Sequence, residues 1–212
     1  MKSRKYIYAG IGAAAVIAAI IASLYQFNNV DNSNDALNLD FTYAEANSNI
    51  KDNLQSKGIV MSSPITLQKS DDIRKYCSFL SEEKQKLVQH CTSTEMEDNT
   101  KEFLGNVHIL GTSSAPQLVI VALQSDPTLQ NLDDVKTVLG ATIDELVCTC
   151  WSEVKPGGYG TVDDLVSSLL EAHLKEKKPE THSSTIPLAS KNLRFVLTTN
   201  QQGYEWQLLI SR

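Results

Sequence analysis

Leu118-Val119-Ile120-Val121-Ala122-Leu123 is an unbroken apolar run. Successive side chains of a strand point to opposite faces, so this segment is apolar on both and should be a central strand. Two strands are expected before it. Cys91–Met96 comes first, then a polar turn at Glu97-Asp98-Asn99-Thr100, then Phe103–Leu110. Gly105 inside the second strand predicts a bulge or a close backbone approach. Residues 111–115 form a loop.

Further upstream, Ala46, Ile50 and Leu54 recur four apart and predict a helix ending near Gly58. Leu37, Leu39 and Phe41 alternate with polar residues, and 59–61 and 65–67 are short strand candidates around Pro64. Ser70-Asp71-Asp72 and Ser81-Glu82-Glu83 are two helix starts in succession, predicting an αα-hairpin or a kinked helix over 71–91.

Downstream, Asn131 with Asp133 and Asp134 predicts a helix start. Val135, Val138, Leu139, Ile143, Leu146, Val147, Cys150 and Val154 then form one apolar face, ended at Lys155-Pro156-Gly157-Gly158. Gly140 weakens this helix and makes a break there conceivable. Thr161-x-x-Asp164 opens another helix carrying Leu165, Leu169 and His173. The C-terminus turns β: His182–Leu188, then Leu193–Thr199 and Tyr204–Ile210 around the turn Asn200-Gln201-Gln202-Gly203.

The expected class is α+β: an antiparallel sheet packed by helices on one face. A weak echo raises an αβββ duplication. Asp71-Asp72-Ile73, helix, Thr92-Ser93-Thr94 and three strands are matched by Asp163-Asp164-Leu165, helix, Ser183-Ser184-Thr185 and three strands.

The N-terminus has a separate logic. Residues 6–25 (YIYAGIGAAAVIAAIIASLY) carry no charge and are long enough to span a bilayer core. Lys2, Arg4 and Lys5 precede them, which favours a cytoplasmic N-terminus. A cleaved signal peptide fits less well, because the run is long and Ile21 suits a small-residue position poorly. The expected organisation is a cytoplasmic flank (1–5), a retained single-pass anchor (6–25), a polar linker (26–36) and an exterior head (37–212). Small residues four apart, such as Ala14/Ala18 and Ala18/Ala22, would let two such helices approach and form a homodimer.

Once Lys2, Arg4 and Lys5 are set aside from the 19 Lys and Arg, the exterior part has 16 against 25 Asp and Glu, a formal charge of −9. That argues against nucleic acid as a partner, since phosphate binding depends on clustered Lys and Arg.

An exterior head gives its cysteines a particular meaning, because bridges persist there. Cys77 and Cys91 can approach if the chain turns near Ser81. Cys148 and Cys150 lie two apart on a predicted helix, pointing roughly 200° apart, and cannot bond without unwinding it. The open alternatives are a 77–91 bridge with 148 and 150 free, crossed bridges between the two pairs, a strained 148–150 bridge, or reduced thiols. Cys148-Thr149-Cys150 is also the one motif suggesting redox chemistry or a soft metal such as Cu(I) or Zn(II). A third ligand would have to come from His90, His108, His173 or His182, none at a ligand spacing from it. His108 and His173 read as satisfied core or boundary residues, and His90 and His182 as helix-to-strand corners.

The acid pairs at 71/72, 133/134 and 163/164 each open a helix, which explains them without catalysis. Pro156-Gly157-Gly158-Tyr159-Gly160 has no Lys-Ser/Thr after it and does not read as a phosphate cradle. No nucleophile–base pair is evident and no cofactor is implied, so the balance leans away from an enzyme.

The segments CTSTE (91–95), FLGNVHILG (103–111), LVCTCWSEVKPGG (146–158) and LTTNQQGYEWQLLI (197–210), behind one apolar N-terminal helix, resemble an uncharacterised family of anchored exterior proteins of ammonia-oxidising archaea. The resemblance covers about residues 70–212. It implies the anchored topology and carries over no functional residue. The function expected is therefore a membrane-anchored module that binds a partner protein or an envelope component. The alternative is thiol redox or soft-metal handling at Cys148 and Cys150.

Overall fold

The computed structural model describes residues 34–77 and 79–212. The flank, the anchor and most of the linker expected for residues 1–33 lie outside them.

The described residues form a nine-stranded sheet in which every pairing is antiparallel. The strands are β1 (Val60–Met61), β2 (Ile65–Leu67), β3 (His90–Glu97), β4 (Phe103–Gly111), β5 (Pro116–Ser125), β6 (Glu180–His182), β7 (Ile186–Leu188), β8 (Lys191–Asn200) and β9 (Gly203–Ser211). Their order is β1-β3-β4-β5-β9-β8-β6, with β2 also on β3 and β7 also on β8. The LVIVAL strand, β5, sits at the centre. The helices are α1 (Tyr43–Gln55), α2 (Ser70–Tyr76), α3 (Glu82–Gln85), α4 (Leu132–Leu146), α5 (Trp151–Val154) and α6 (Val162–Glu176).

The expectation of helices on one face is corrected. On the first face α1, α4 and α6 cover Val107, Ile109, Val119, Val121, Phe195 and Leu208. On the second face the α2–α3 segment contributes Ile73, Cys77 and Leu80 to a cluster with Cys91, Leu110, Leu118 and Ile120. The cause lies in β5 itself. Its side chains alternate between the two clusters, and burying a Leu or Ile contributes about 1.5–3 kcal/mol. A bare second face would forfeit that for both Leu118 and Ile120.

The same finding bears on the duplication. The meanders β3-β4-β5 and β6-β8-β9 do meet back to back along β5 and β9. A two-fold relating antiparallel neighbours stands perpendicular to the sheet and keeps a helix on its face. The helices matched in sequence, α2 and α6, lie in different clusters and so break the proposed repeat.

Several local expectations change too. Residues 34–37 form a 3-10 turn and 38–41 are not a strand. His182–Leu188 is two strands, separated at 183–185. Helix α4 stops at Leu146, so the helix expected through Val154 is interrupted at 147–150. The bulge at Gly105 is present: Met96 faces Gly105 while Glu97 faces Phe103, leaving Leu104 as the extra residue of β4. Leu104 thereby joins the first-face cluster although Leu110, of the same parity, lies in the second. A Cβ at position 105 would run into the Ala122 carbonyl and come within 2.8 Å of Leu123 Cα.

Two capping boxes fix helices on the first face. Thr42 pairs with Glu45 at the start of α1, and Thr161 with Asp164 at the start of α6. Asn47 ties α1 to β3 by donating to Thr92 Oγ1 at 3.2 Å and accepting from Thr94 Oγ1 at 2.6 Å. The described chain begins beside the first residue of β5, where the Leu39 N–H donates to the Pro116 carbonyl at 2.8 Å. The C-terminal Arg212 donates to the Asn38 carbonyl at 2.9 Å. Leu39 and Arg212 therefore mark one end of the central strands, the Pro116 end of β5.

Candidate functional site

Cys148 and Cys150 are bonded to each other, with Cα atoms 5.2 Å apart. The pairing is possible because α4 has ended and α5 has not begun. Leaving 148 and 150 free is thus ruled out as the arrangement here. Both half-buried cysteines pack against the first-face cluster, and Thr149 between them is exposed. A loop this small constrains the unfolded chain little, by on the order of 1–2 kcal/mol. The bridge is within reach of solvent thiols.

Cys77 and Cys91 are buried thiols on the second face, with their sulfurs 3.0 Å apart. Crossed bridges are excluded, because the sheet stands between this pair and Cys148–Cys150. The hydrogen bond shared with Cys77, followed by burial, pushes the Cys91 thiol far above its usual range.

The histidines are dispersed. His173 is buried and held at both ring nitrogens, by Thr181 Oγ1 at 2.9 Å and Thr199 Oγ1 at 2.7 Å. His108 is buried against Phe79, with ring centroids 4.5 Å apart, but its Nδ1 has no hydrogen-bond partner. It is not the fully satisfied residue expected. His90 stacks on Tyr43 at 4.2 Å, and His182 is exposed at the end of β6. Among the described residues no three His, Cys, Asp or Glu side chains are grouped to hold an ion. While bonded, Cys148 and Cys150 offer no thiolate to one.

Periodicity could not show the groove between α6 and strand β6. It has a volume of about 510 Å³ and is lined by hydroxyl-rich residues including Tyr159, Ser168, Thr181, His182, Ser183 and Ser184. Tyr159 Oη lies 3.4 Å from Ser168 Oγ across its wall. Among the described residues β6 pairs with β8 alone. The Ser183 N–H donates to Phe195 and the Pro179 carbonyl accepts from Thr199, both at 2.9 Å. Main-chain groups alternate in direction along a strand. Those of Glu180 and His182 therefore point to the open edge, beside the groove.

The register also locates the groove along the sheet. Through β8 and β9, Glu180 lies level with Gln124 of β5, whereas Asn38 and Arg212 lie by Pro116. From Leu118 to Gln124 a strand rises roughly 20 Å. The β6 end of the groove therefore lies at the opposite end of the sheet from Leu39 and Pro116.

Compared with known protein families, curated proteins and solved structures, the chain finds no match. Its own geometry carries the functional reading.

Proposed function

We propose that this is a single-pass membrane protein with a cytoplasmic N-terminus, whose exterior α+β head is a binding module. The groove between α6 and β6 is its binding surface, and the occupant is an extended segment of a partner protein that adds a strand to β6. The observation supporting this is the open β6 edge beside a groove at the far end of the sheet from Leu39. Strand addition takes affinity from main-chain hydrogen bonds and specificity from neighbouring pockets. The resemblance to anchored archaeal exterior proteins is consistent with the topology proposed for residues 1–36.

A photo-crosslinking residue at Ser168, in the full chain in its native membranes, is expected to give a discrete adduct. The same probe at exposed Lys51 on α1 is not. His182→Pro removes an outward N–H without touching the bonds to β8, so it should abolish the adduct while changing Tm by only a few degrees. Equal crosslinking at Ser168 and Lys51, or an adduct indifferent to His182→Pro, would sink the reading. The anchor has its own test: the chain should stay with membranes through an alkaline wash, and protease added outside should remove the head.

Thiol redox activity at Cys148–Cys150 is a second reading, favoured by the accessibility of that bridge. Structural bridges have potentials below about −300 mV, and labile or catalytic ones lie higher. A redox titration with glutathione checks this: a potential above about −300 mV keeps the reading, and one below it removes the reading.

A further inference from the structure

We infer that Cys77 and Cys91 are a second disulfide site, whose oxidation staples the α2–α3 segment to the second face of the sheet. The two sulfurs stand 3.0 Å apart, and both cysteines are fully buried. Neither is a lone thiol placed by chance. Cys77 caps the C-terminus of α2, where its N–H donates to the Ile73 carbonyl at 2.8 Å. Gln85 of α3 reaches back to the carbonyls of Cys77 and Leu80 at 3.1 and 3.0 Å, holding the turn that brings Cys77 over β3. Cys91 is fixed by its place in the ladder, between Leu67 and Leu110. Joining the sulfurs needs a movement of about 1 Å to reach bonding distance.

The reaction is thiol–disulfide exchange with an external disulfide, either a small molecule or an oxidising protein. One cysteine, as thiolate, attacks that disulfide. A mixed disulfide forms and one external thiol leaves. The second cysteine then attacks the mixed bond, releasing the second external thiol and closing Cys77–Cys91. Two electrons pass to the external disulfide, and the two cysteine protons end on the two thiols released.

Burial sets the order of events. A fully covered thiol pair cannot meet an oxidant while α2 and α3 are closed. Helices of seven and four residues are marginal by themselves and open locally far more readily than the sheet beneath them. The bridge therefore forms during folding or in that open state. Once closed, it is shielded from reductants. Cys148–Cys150, half-buried on the other face, stays exchangeable. The head then carries one protected bridge and one labile bridge, with the sheet keeping them from exchanging.

The experiment is oxidative refolding of the detergent-solubilised full chain with oxidised glutathione. Remaining thiols are alkylated and the disulfide peptides mapped by mass spectrometry. A peptide joining Cys77 to Cys91 is expected, together with one holding Cys148–Cys150. A graded reductant should open the second before the first. In the Cys148→Ser/Cys150→Ser background, the oxidised form should melt roughly 6–12 °C above the reduced form, as a 15-residue loop closure implies for a domain of this size. Alkylatable Cys77 and Cys91 after refolding, a crossed peptide, a reversed order of reduction, or an unchanged Tm would each overturn the inference. The wild-type map needs no variant to fold.

Discussion

Trp206→Ala is expected to remove about 3–5 kcal/mol of stability, the range for truncating a buried tryptophan. The side chain is 1% exposed in the first-face cluster. Its Nε1–H donates to Ser125 Oγ at 2.9 Å, and Ser125 is fully buried. The loss therefore has two parts: a cavity beneath the helices, and a serine hydroxyl left without this partner. Trp206→Phe separates them. It fills most of the space, removes the indole donor while the hydroxyl still donates to the Tyr204 carbonyl at 3.4 Å, and should cost about 1–3 kcal/mol. Urea melts of the two variants check this. Equal losses would mean that the indole contributes mainly through its hydrogen bond.

The second large effect is on pH dependence, through His108. Burial pushes its pKa down to about 4, against 6.5 when unfolded. Between those values the unfolded chain binds the proton and the folded chain does not. The ionisation of His108 therefore costs nothing at neutral pH and destabilises the fold as pH falls below 6.5. The loss is about 2 kcal/mol by pH 5 and about 3 kcal/mol by pH 4. The ring is walled in by Phe79 and flanked in the ladder by Ser93 and Ile120, so no described acid next to it in the ladder compensates the charge. His90 and His173, also shifted down by burial, add to the same limb. Asp40, Asp98 and Asp126 are shifted down by hydrogen bonds and lose their contribution only at lower pH. His108→Phe should flatten the stability curve between pH 6.5 and 4. A curve unchanged by that substitution would show that the limb belongs elsewhere.

Much of the sheet was legible because its signals are local. LVIVAL marked the central strand, Gly105 marked the bulge, and Asn200–Gly203 marked the β8–β9 hairpin. Thr161-x-x-Asp164 marked a helix start, which the structure completes as a capping box. The helix break at 147–150 was not legible. Leu146, Val147, Cys150 and Val154 continue the apolar stripe of α4, and periodicity responds to the stripe rather than to the hydrogen bonds beneath it. That miss carried the cysteine pairing with it, since a continuous helix forbids the 148–150 bridge that the break allows.

By itself the sequence determined the class, the central strand, the ends of several helices and the four cysteines as the chemistry to watch. Each depends on neighbours within a few residues, where side-chain period and capping act. Only the tertiary structure decided which face each helix covers, which cysteines meet, and that β6 leaves an open edge beside a groove. Those depend on contacts between residues of different elements: Thr94 of β3 meets Asn47 of α1, His173 of α6 meets Thr199 of β8, and Cys77 meets Cys91 only because the chain turns between them. The unbroken apolar run of β5 did contain the demand for two covered faces. Which helices would answer it was settled only by packing.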